Sequence, residues 1–186
     1  MSTRRTELSR DRIVATALDL LDAEGEEALS MRRLADALGV APMSIYHYVS
    51  DKEDLRGAVI ERVLAEVRPP EPGEPWVATA KRMATSFRAA ALDHPAAIRL
   101  LLTRPPATAA GSRWQDVRGA LRADGLDEEE ALRAFRVVSR FVIGWCLAEL
   151  AQVAAGTTQP DAASDADFAF GVEALVEAMA RRRPSS

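Results

Sequence analysis

Residues 30–55 have the sequence SMRRLADALGVAPMSIYHYVSDKEDL, which predicts two short helices joined by a tight turn, followed by the start of a third. Ser30 suits the N-cap of the first helix, because its hydroxyl can accept a hydrogen bond from a free amide of the first turn. Gly39 falls where a helix end favours a left-handed residue. Pro42 falls at the first position of the second helix, where its missing N–H costs nothing. Ser50-x-x-Glu53 has the spacing of a capping box for the third helix, which we expect to end near residue 67.

The second short helix carries polar and aromatic side chains that a buried position would not favour. Val40 and Ile45 are predicted to pack inward and hold the segment. The side chains predicted to face outward are those of Met43, Ser44, His47 and Tyr48. An ordinary corner between two helices of a bundle has similar spacing. The polar and aromatic content instead favours a helix-turn-helix whose second helix enters the major groove of DNA.

Residues 34–55 resemble the DNA-binding domain of the tetracycline repressor (TetR) family in order, spacing and residue type. The matching runs are Leu34-Ala35-x-x-Leu38-Gly39-Val40, Ile45-Tyr46-His47-Tyr48-Val49 and Lys52-Glu53-x-Leu55. An upstream helix that is similar to the family's first helix contains Ile13, Ala17, Leu20 and Leu21 and closes at Gly25. The resemblance covers the first third of the chain and implies a DNA-binding function for it.

The resemblance also implies roles for individual residues. Tyr46 matches a tyrosine that contacts a DNA phosphate, Lys52 matches a lysine that contacts the DNA backbone, and Arg32 matches an arginine that reaches a guanine. Tyr48 stands where the tetracycline repressor has a histidine, so the operator preference does not transfer. The predicted DNA-binding residues are Arg4, Arg5, Ser30, Arg32, Pro42, Met43, Ser44, Tyr46, His47, Tyr48 and Lys52.

The charge of the N-terminal part differs from that of a typical DNA-binding domain. Residues 1–67 hold 9 Lys and Arg against 13 Asp and Glu, and the rest of the chain holds 15 of each. A DNA-binding surface is usually basic, so the charges must be segregated. The cations predicted near DNA are Arg4, Arg5, Arg10, Arg12, Arg32, Arg33 and Lys52, whereas Asp19, Asp22, Glu24, Glu26 and Glu27 cluster around the end of the first helix. We expect weak nonspecific binding that depends on a small number of phosphate contacts.

Composition and length predict an all-α protein of two domains. Of the 186 residues, 48% are apolar and only 5% aromatic, and no useful length of chain alternates with the period of a strand. The proline-rich cluster at 68–75 cannot continue a helix. We therefore predict a helix-turn-helix DNA-binding domain at 1–67 and a helical ligand-binding and dimerisation domain at 68–186. In the second domain we expect 103–112 to be a loop, and we expect Ser164-x-x-Asp167 to cap the last helix.

Two late helices are predicted to form a subunit interface. The first of them, 127–154, is apolar on more than one face and must be covered on all sides. Two helices from each of two subunits would make a four-helix bundle, and the resemblance implies the same homodimer. The predicted interface residues are Phe141, Gly144, Trp145, Ala148, Ala151, Phe168, Val172, Leu175 and Met179. The arginines at 181–183 are better explained by a solvated helix end than by a second nucleic-acid patch.

The resemblance further implies a cavity for a small-molecule effector in the core of the second domain. The residues predicted to line it, or else to belong to the core, are Met83, Phe87, Leu100, Leu101, Thr103, Arg104, Trp114, Phe135, Val138 and Val142. The tetracycline repressor has a magnesium-binding histidine where this chain has Leu100. We therefore expect an apolar or amphipathic organic effector rather than a magnesium–tetracycline complex. Arg104 could pair with an acidic group on the effector or form a structural salt bridge.

Enzymes and cofactor-binding proteins need residues that this sequence lacks. It contains no G-x-S-x-G, G-x-G-x-x-G or P-loop pattern. One Cys and two separated His do not make the usual zinc site. We predict that the protein is not an enzyme and binds no cofactor or metal.

The remaining sequence features predict a cytoplasmic protein without a membrane partner. The N-terminus lacks the apolar segment of a signal peptide, and the apolar run 141–155 is too short for a membrane span. Cys146 suits a reducing compartment and is expected to be a buried structural thiol. The hypothesis is a ligand-responsive repressor that binds a palindromic DNA operator as a homodimer, with activation left open. The alternative is a helical protein-interaction adaptor without specific DNA binding.

Overall fold

The computed structural model describes residues 8–103, 109–157 and 160–181, and within them the chain is helical without strands. Its helices are α1 (Arg10–Glu24), α2 (Met31–Leu38), α3 (Pro42–Ile45), α4 (Lys52–Leu64), α5 (Trp76–Asp93), α6 (Pro95–Thr103), α7 (Ala109–Ala123), α8 (Glu128–Ala154) and α9 (Ala162–Arg181). A 3-10 turn at Glu26–Ala28 lies between α1 and α2. The prediction of an all-α fold is confirmed.

The chain divides into two compact units. The first contains α1 to α4 together with α6, and the second contains α5 and α7 to α9. This grouping differs from the predicted division after residue 67 chiefly in α6, which packs against α1. His94, just before α6, also lies beside Asp22 of α1, with 2.7 Å between Nδ1 and Oδ2. The domain boundary at 67 remains a prediction.

The core of the first unit is built on α1. The buried face of α1 consists of Ile13, Val14, Ala17, Leu18 and Leu21. Ser9 caps this helix by accepting a hydrogen bond from the Arg12 amide, and Gly25 ends it with a φ of 81°. Burying one Leu or Ile side chain contributes about 1.5–3 kcal/mol. The short helices of this unit bury little apolar surface by themselves, and this larger core therefore holds them in place.

Several predicted helix boundaries were wrong. Helix α4 begins at Lys52 because the Asp51 carboxylate, rather than Ser50, caps it by accepting from the Asp54 amide at 2.8 Å. Asp and Ser are similarly good N-caps, and α4 ends at Leu64 rather than near residue 67.

The two other wrong boundaries lie in the second unit. Helix α9 begins at Ala162, since the Asp161 carboxylate accepts from the Ser164 amide at 2.9 Å. Ser164 is therefore inside the helix rather than at its cap. Helix α7 begins at Ala109, so residues 109–112 are helical instead of part of a loop.

The second unit is organised by α5, which packs against both α8 and α9. Phe141 and Trp145 of α8 meet Phe168 of α9, with ring centroids 6.3 and 5.7 Å away. Gly171 permits this close approach, because a Cβ at that position would lie 2.5 Å from Phe141 Cζ. Asp127 and Glu130 form a capping box at the start of α8, so the predicted beginning of this helix is confirmed.

A buried polar network joins these three helices. Arg88 of α5 is 8% exposed and donates to both carboxylate oxygens of Glu149 of α8, which is 7% exposed, at 2.6 and 2.8 Å. Arg88 also donates to Asp165 of α9 at 2.6 Å, and the Ser164 hydroxyl donates to Glu149 at 2.7 Å. The hydrogen bonds from Arg88 hold the pKa of the Glu149 carboxyl below its usual range.

Burial raises the pKa of the Cys146 thiol to about 12, and the prediction that this thiol is buried is confirmed.

Helix α8 is 27 residues long and, among the described helices, is the one whose length and composition would suit a membrane span. The argument that this region is too short to span a membrane was therefore wrong, because the helix extends well before the apolar run 141–155. Only 22% of its most apolar window is buried within the chain. Glu149 lies inside the helix and is paired with Arg88. Two large apolar side chains of α8, those of Val137 and Leu147, are exposed within the single chain.

Candidate functional site

The helix-turn-helix has the local geometry that its sequence predicts. Ser30 caps α2 by accepting from the Arg33 amide at 3.3 Å. Gly39 ends α2 in the left-handed region, with φ 68° and ψ 36°. Pro42 occupies the first turn of α3, a helix of only four residues that continues as turns through Tyr48. The predicted positions of Ser30, Gly39 and Pro42 are confirmed.

The recognition segment, residues 42–48, exposes most of its large side chains. Met43 is 69% exposed, Tyr46 44% and Tyr48 39%, while Pro42 and His47 are also exposed and Ser44 is half-buried. Ile45 is buried, and Val49, just after the segment, is 1% exposed. Val40 is only half-buried, so the predicted second buried residue was wrong and Val49 has that role.

Such exposure needs an explanation, because contiguous exposed apolar and aromatic groups usually mark an interaction surface. Two turns of backbone present these groups, and the Tyr48 and Val49 amides fix the end of the segment by donating to the Ile45 carbonyl at 2.9 and 3.1 Å. A short, fixed backbone with aromatic and polar side chains directed outward is suited to contact with a DNA groove.

The cations of the first unit fall into two groups. Arg10 pairs with Asp54 at 2.5 Å, and Arg33 pairs with Glu24, so the charges of both are balanced in part within the unit. Their position near DNA stays a prediction. Arg32 is exposed and Lys52 is half-buried at the start of α4, and neither forms an ion pair with a described residue. Arg4 and Arg5 lie outside the described residues.

The acidic cluster around the end of α1 is partly neutralised as well. Glu24 pairs with Arg33, and Glu26 pairs with Arg56 at 2.8 Å. The count of charges in the sequence therefore overstates the unbalanced charge of both the cations predicted near DNA and the acidic cluster around the end of α1. Arg32 and Lys52 are the predicted DNA-binding cations that the structure leaves unpaired among the residues it describes.

The residues predicted to contact an effector do not all belong to one unit. Met83, Phe87, Phe135 and Val138 are half-buried in the second unit, and Val142 is buried there. Leu100, Leu101 and Thr103 lie on α6 in the first unit, where they are buried, half-buried and exposed, respectively. Arg104 and the side chain of Trp114 lie outside the described residues.

The residues predicted at the subunit interface differ in how far they are buried within the single chain. Phe168 and Val172 are buried within the second unit, and Phe141, Trp145, Leu175 and Met179 are half-buried. Gly144, Ala148 and Ala151 are exposed along α8. Three exposed apolar residues were not predicted, Val137 and Leu147 on α8 and Phe170 on α9, the last of which is 73% exposed. Leu147 and Phe170 lie among small residues on the outer faces of their helices, and that pattern was visible in the sequence.

Comparisons with known proteins match both parts of the chain. Residues 13–59 match "Bacterial regulatory proteins, tetR family", and residues 69–167 match "Tetracyclin repressor-like, C-terminal domain". An HTH-type transcriptional regulator of Saccharopolyspora erythraea is 40% identical over 144 residues, which cover 76% of this chain and 61% of that protein.

Solved structures show the same likeness over nearly the whole chain. The Streptomyces coelicolor TetR family protein ActR, in complex with actinorhodin, is 31% identical with a TM-score of 0.78, covering 94% of this chain and 96% of that one. BioQ, with its double-stranded DNA operator, is 26% identical with a TM-score of 0.71, covering 94% and 99%. The chain belongs to the TetR family of bacterial regulatory proteins, and it is a helix-turn-helix transcriptional regulator.

Proposed function

We propose that this regulator is a cytoplasmic repressor that binds a palindromic DNA operator as a homodimer and is released by a small, mainly apolar organic effector. The observation that carries the proposal is the recognition segment, in which Ile45 and Val49 are buried while Met43, Tyr46 and Tyr48 are exposed. A protein-interaction adaptor would be expected to present an apolar segment without the polar Ser44 and His47.

A homodimer is supported by the second unit. Val137, Leu147 and Phe170 are large apolar side chains that the single chain leaves exposed on α8 and α9. Gly144, Ala148 and Ala151 lie on the same side of α8 as Leu147, where small residues allow a second helix to approach closely. A single short recognition helix reads few base pairs, so specificity requires two half-sites related by the two-fold axis of the dimer.

An apolar effector is supported by the side chains of the second unit. Met83, Phe87, Phe135 and Val138 are half-buried and carry no charge. No group of three or more His, Cys, Asp or Glu suited to a metal ion occurs among the described residues. Release from DNA requires that the effector bind a second conformation of the protein more tightly than the conformation that binds the operator. The effector cannot lower the operator affinity by a larger factor than the ratio of its own affinities for these two conformations.

Selection of bound fragments from a random duplex library, at near-physiological salt, tests this function. Enrichment of one palindromic sequence is the result that the proposal predicts, and that duplex then serves as the probe for effectors that release it. Failure to enrich any sequence, at low salt as well, would reject the proposal and favour the helical protein-interaction adaptor.

Tyr46→Phe and Lys52→Ala are expected to weaken binding to the selected duplex and to a scrambled duplex by similar factors. Both residues are assigned to phosphate or backbone contacts, which carry no direct sequence information. The Lys52→Ala variant should also lower the salt slope of binding by about 1.8, since the homodimer loses one phosphate contact in each half-site. Fluorescence anisotropy titrations at four salt concentrations measure both quantities. A loss confined to the selected duplex would contradict the phosphate assignment.

Arg32→Ala is expected to relax discrimination at one base pair of each half-site by about 1–3 kcal/mol. Arg32 is exposed in the first turn of α2 and is free to make a bidentate contact with guanine. The measurement is a set of binding titrations with duplexes that carry every single substitution in one half-site. Equal losses on all of these duplexes would show that Arg32 contacts the backbone instead.

A further inference from the structure

Arg10, the first residue of α1, links three parts of the first unit. Its Nη1 donates to the Tyr48 carbonyl oxygen at 2.5 Å and to Asp54 Oδ2 at 3.3 Å, while its Nη2 donates to Asp54 Oδ1 at 2.5 Å. Tyr48 ends the recognition segment, and Asp54 lies in the first turn of α4. One planar guanidinium therefore joins α1 to the recognition segment and to the helix that follows it.

Asp54 extends this connection into the intervening turn. Its Oδ2 accepts from the Ser50 amide at 2.8 Å and from the Ser50 hydroxyl at 3.3 Å. Its own amide donates to Asp51 Oδ1 at 2.8 Å. The pKa of the Asp54 carboxyl is lowered to about 2, mainly by the hydrogen bond from Arg10 and then by the Ser50 amide. The whole turn from Tyr48 to Asp54 is thus fixed by hydrogen bonds that meet at one carboxylate.

The recognition segment needs such a connection because its own structure is short. Helix α3 has four residues, and Tyr48 lies beyond its end, where its carbonyl accepts a hydrogen bond from Arg10 of α1. Ile45 and Val49 are buried and hold the inner side of the segment. The hydrogen bonds of the Tyr48 and Val49 amides to the Ile45 carbonyl are local, and they do not join the end of the segment to α1 or α4. A contact site is effective only when its groups are held to within about 0.5 Å by their supporting residues.

We propose that Arg10 is a positioning residue for operator recognition: by holding the Tyr48 carbonyl and Asp54 together, it fixes the recognition segment against α1 and the start of α4. Arg10 then contributes to the preference for the operator over other DNA without touching DNA itself. The inference rests on the proposed operator binding. The competing role for an arginine in this unit is a direct contact with a phosphate.

The two roles make opposite predictions for Asp54→Asn. If Arg10 positions the segment, the loss of the carboxylate disturbs the turn and lowers operator preference, as Arg10→Gln does. If Arg10 contacts phosphate, Asp54→Asn removes a nearby negative charge and raises the affinity for both operator and nonoperator DNA. The sign of the change therefore separates positioning from contact.

The test compares wild type, Arg10→Gln, Asp54→Asn and the double variant on the selected duplex and on a scrambled duplex of the same composition. We expect each variant to lose about 10-fold in affinity for the selected duplex, the size of one mismatched base pair. Affinity for the scrambled duplex should stay within about twofold, and the salt slope, which counts phosphate contacts, should not change. The double variant should be no worse than either single one, because both remove the same connection.

Arg62→Gln provides the matched control, since Arg62 is an exposed arginine on α4 and the substitution removes the same charge. It should leave the ratio of the two affinities unchanged. A salt slope lower by about 1.8 in Arg10→Gln, one phosphate contact for each subunit of the dimer, would overturn the proposal in favour of a phosphate contact. An unchanged ratio of affinities in Arg10→Gln would also overturn it, because the contacts of Arg10 would then serve the fold alone.

Hydrogen exchange of the free protein gives a readout without DNA. Exchange of the Ser50 amide should be faster in Arg10→Gln and Asp54→Asn than in wild type or Arg62→Gln. An unchanged rate would overturn the proposed connection. If the wild-type selection returned no sequence, the proposed function would fail, whereas a selected operator with unchanged discrimination in Arg10→Gln would reject the positioning role alone.

Discussion

Arg88→Met is expected to lower the free energy of unfolding of the second unit by about 3–5 kcal/mol, the usual cost of leaving one partner of a buried ion pair behind. Arg88 donates two hydrogen bonds to Glu149, and both side chains are buried. Methionine fills much of the space but donates no hydrogen bond, so the carboxylate of Glu149 keeps only the Ser164 hydroxyl among the contacts described above.

The pair also has a predictable pH dependence. The pKa of Glu149 is held below its usual range, so its contribution to stability is present above the unfolded-state pKa of about 4.3 and is lost as the pH falls. The difference in stability between wild type and Arg88→Met should therefore shrink in acid. Urea unfolding at pH 7 and pH 4, at one fixed protomer concentration, measures both effects.

Lys81→Met is the matched control for this prediction. Lys81 also lies on α5 and pairs with Glu173 of α9 at 2.5 Å, but the two side chains are 35% and 54% exposed, so this pair is far more accessible to solvent than Arg88 and Glu149. Exposed ion pairs contribute about 0–1 kcal/mol, so this variant should be close to wild type. The double variant Arg88→Met with Glu149→Leu should recover most of the loss, because it leaves no buried charge. Equal effects of the Arg88 and Lys81 variants would contradict the account.

The double variant Leu147→Glu with Phe170→Glu is expected to convert the proposed dimer to a monomer and to reduce operator affinity by about 10²–10⁴-fold, since the second half-site no longer binds intramolecularly. Leu147 and Phe170 are exposed within the single chain. Glutamate at these positions therefore does not disturb the interior of the second unit, but it would place uncompensated charges in an apolar subunit interface.

Sedimentation equilibrium and anisotropy titrations measure this outcome, and far-UV circular dichroism checks that the helices remain. Ala89→Glu is the control, because Ala89 is an exposed position on α5 and receives one of the two charges that the double variant adds. It should remain a dimer with wild-type operator affinity. A Leu147→Glu and Phe170→Glu protein that stayed dimeric would show that the subunits meet through another surface.

The parts of the fold that the sequence predicted are those governed by local rules. Ser30, Gly39 and Pro42 each have a strong positional preference that depends on adjacent backbone alone, and all three lie where predicted. The cap of α4 was missed because Ser50-x-x-Glu53 and Asp51-x-x-Asp54 are overlapping patterns of similar strength. The sequence offers no local reason to choose between them.

The parts of the site that could not be predicted depend on contacts between distant segments. Arg10 and Asp54 are 44 positions apart, and Arg88 and Glu149 are 61 apart. A basic residue near the N-terminus of a DNA-binding domain suggests a phosphate contact until its carboxylate partner is seen. Helix α8 is apolar on several sides, so its sequence alone does not show that Cys146 and Leu150 face inward while Leu147 and Ala148 face outward.

The spacing of two half-sites on the selected duplex tests most directly the central claim, that two recognition segments of one dimer read a single operator. The measurement is the affinity of wild-type protein for this duplex and for a duplex with about half a helical turn, roughly five base pairs, inserted at its centre. Our account predicts a loss of about 100-fold or more, because the half-sites then face opposite sides of the DNA and bivalent binding is lost. Equal affinity for both duplexes would contradict it, since each subunit would then bind its half-site independently.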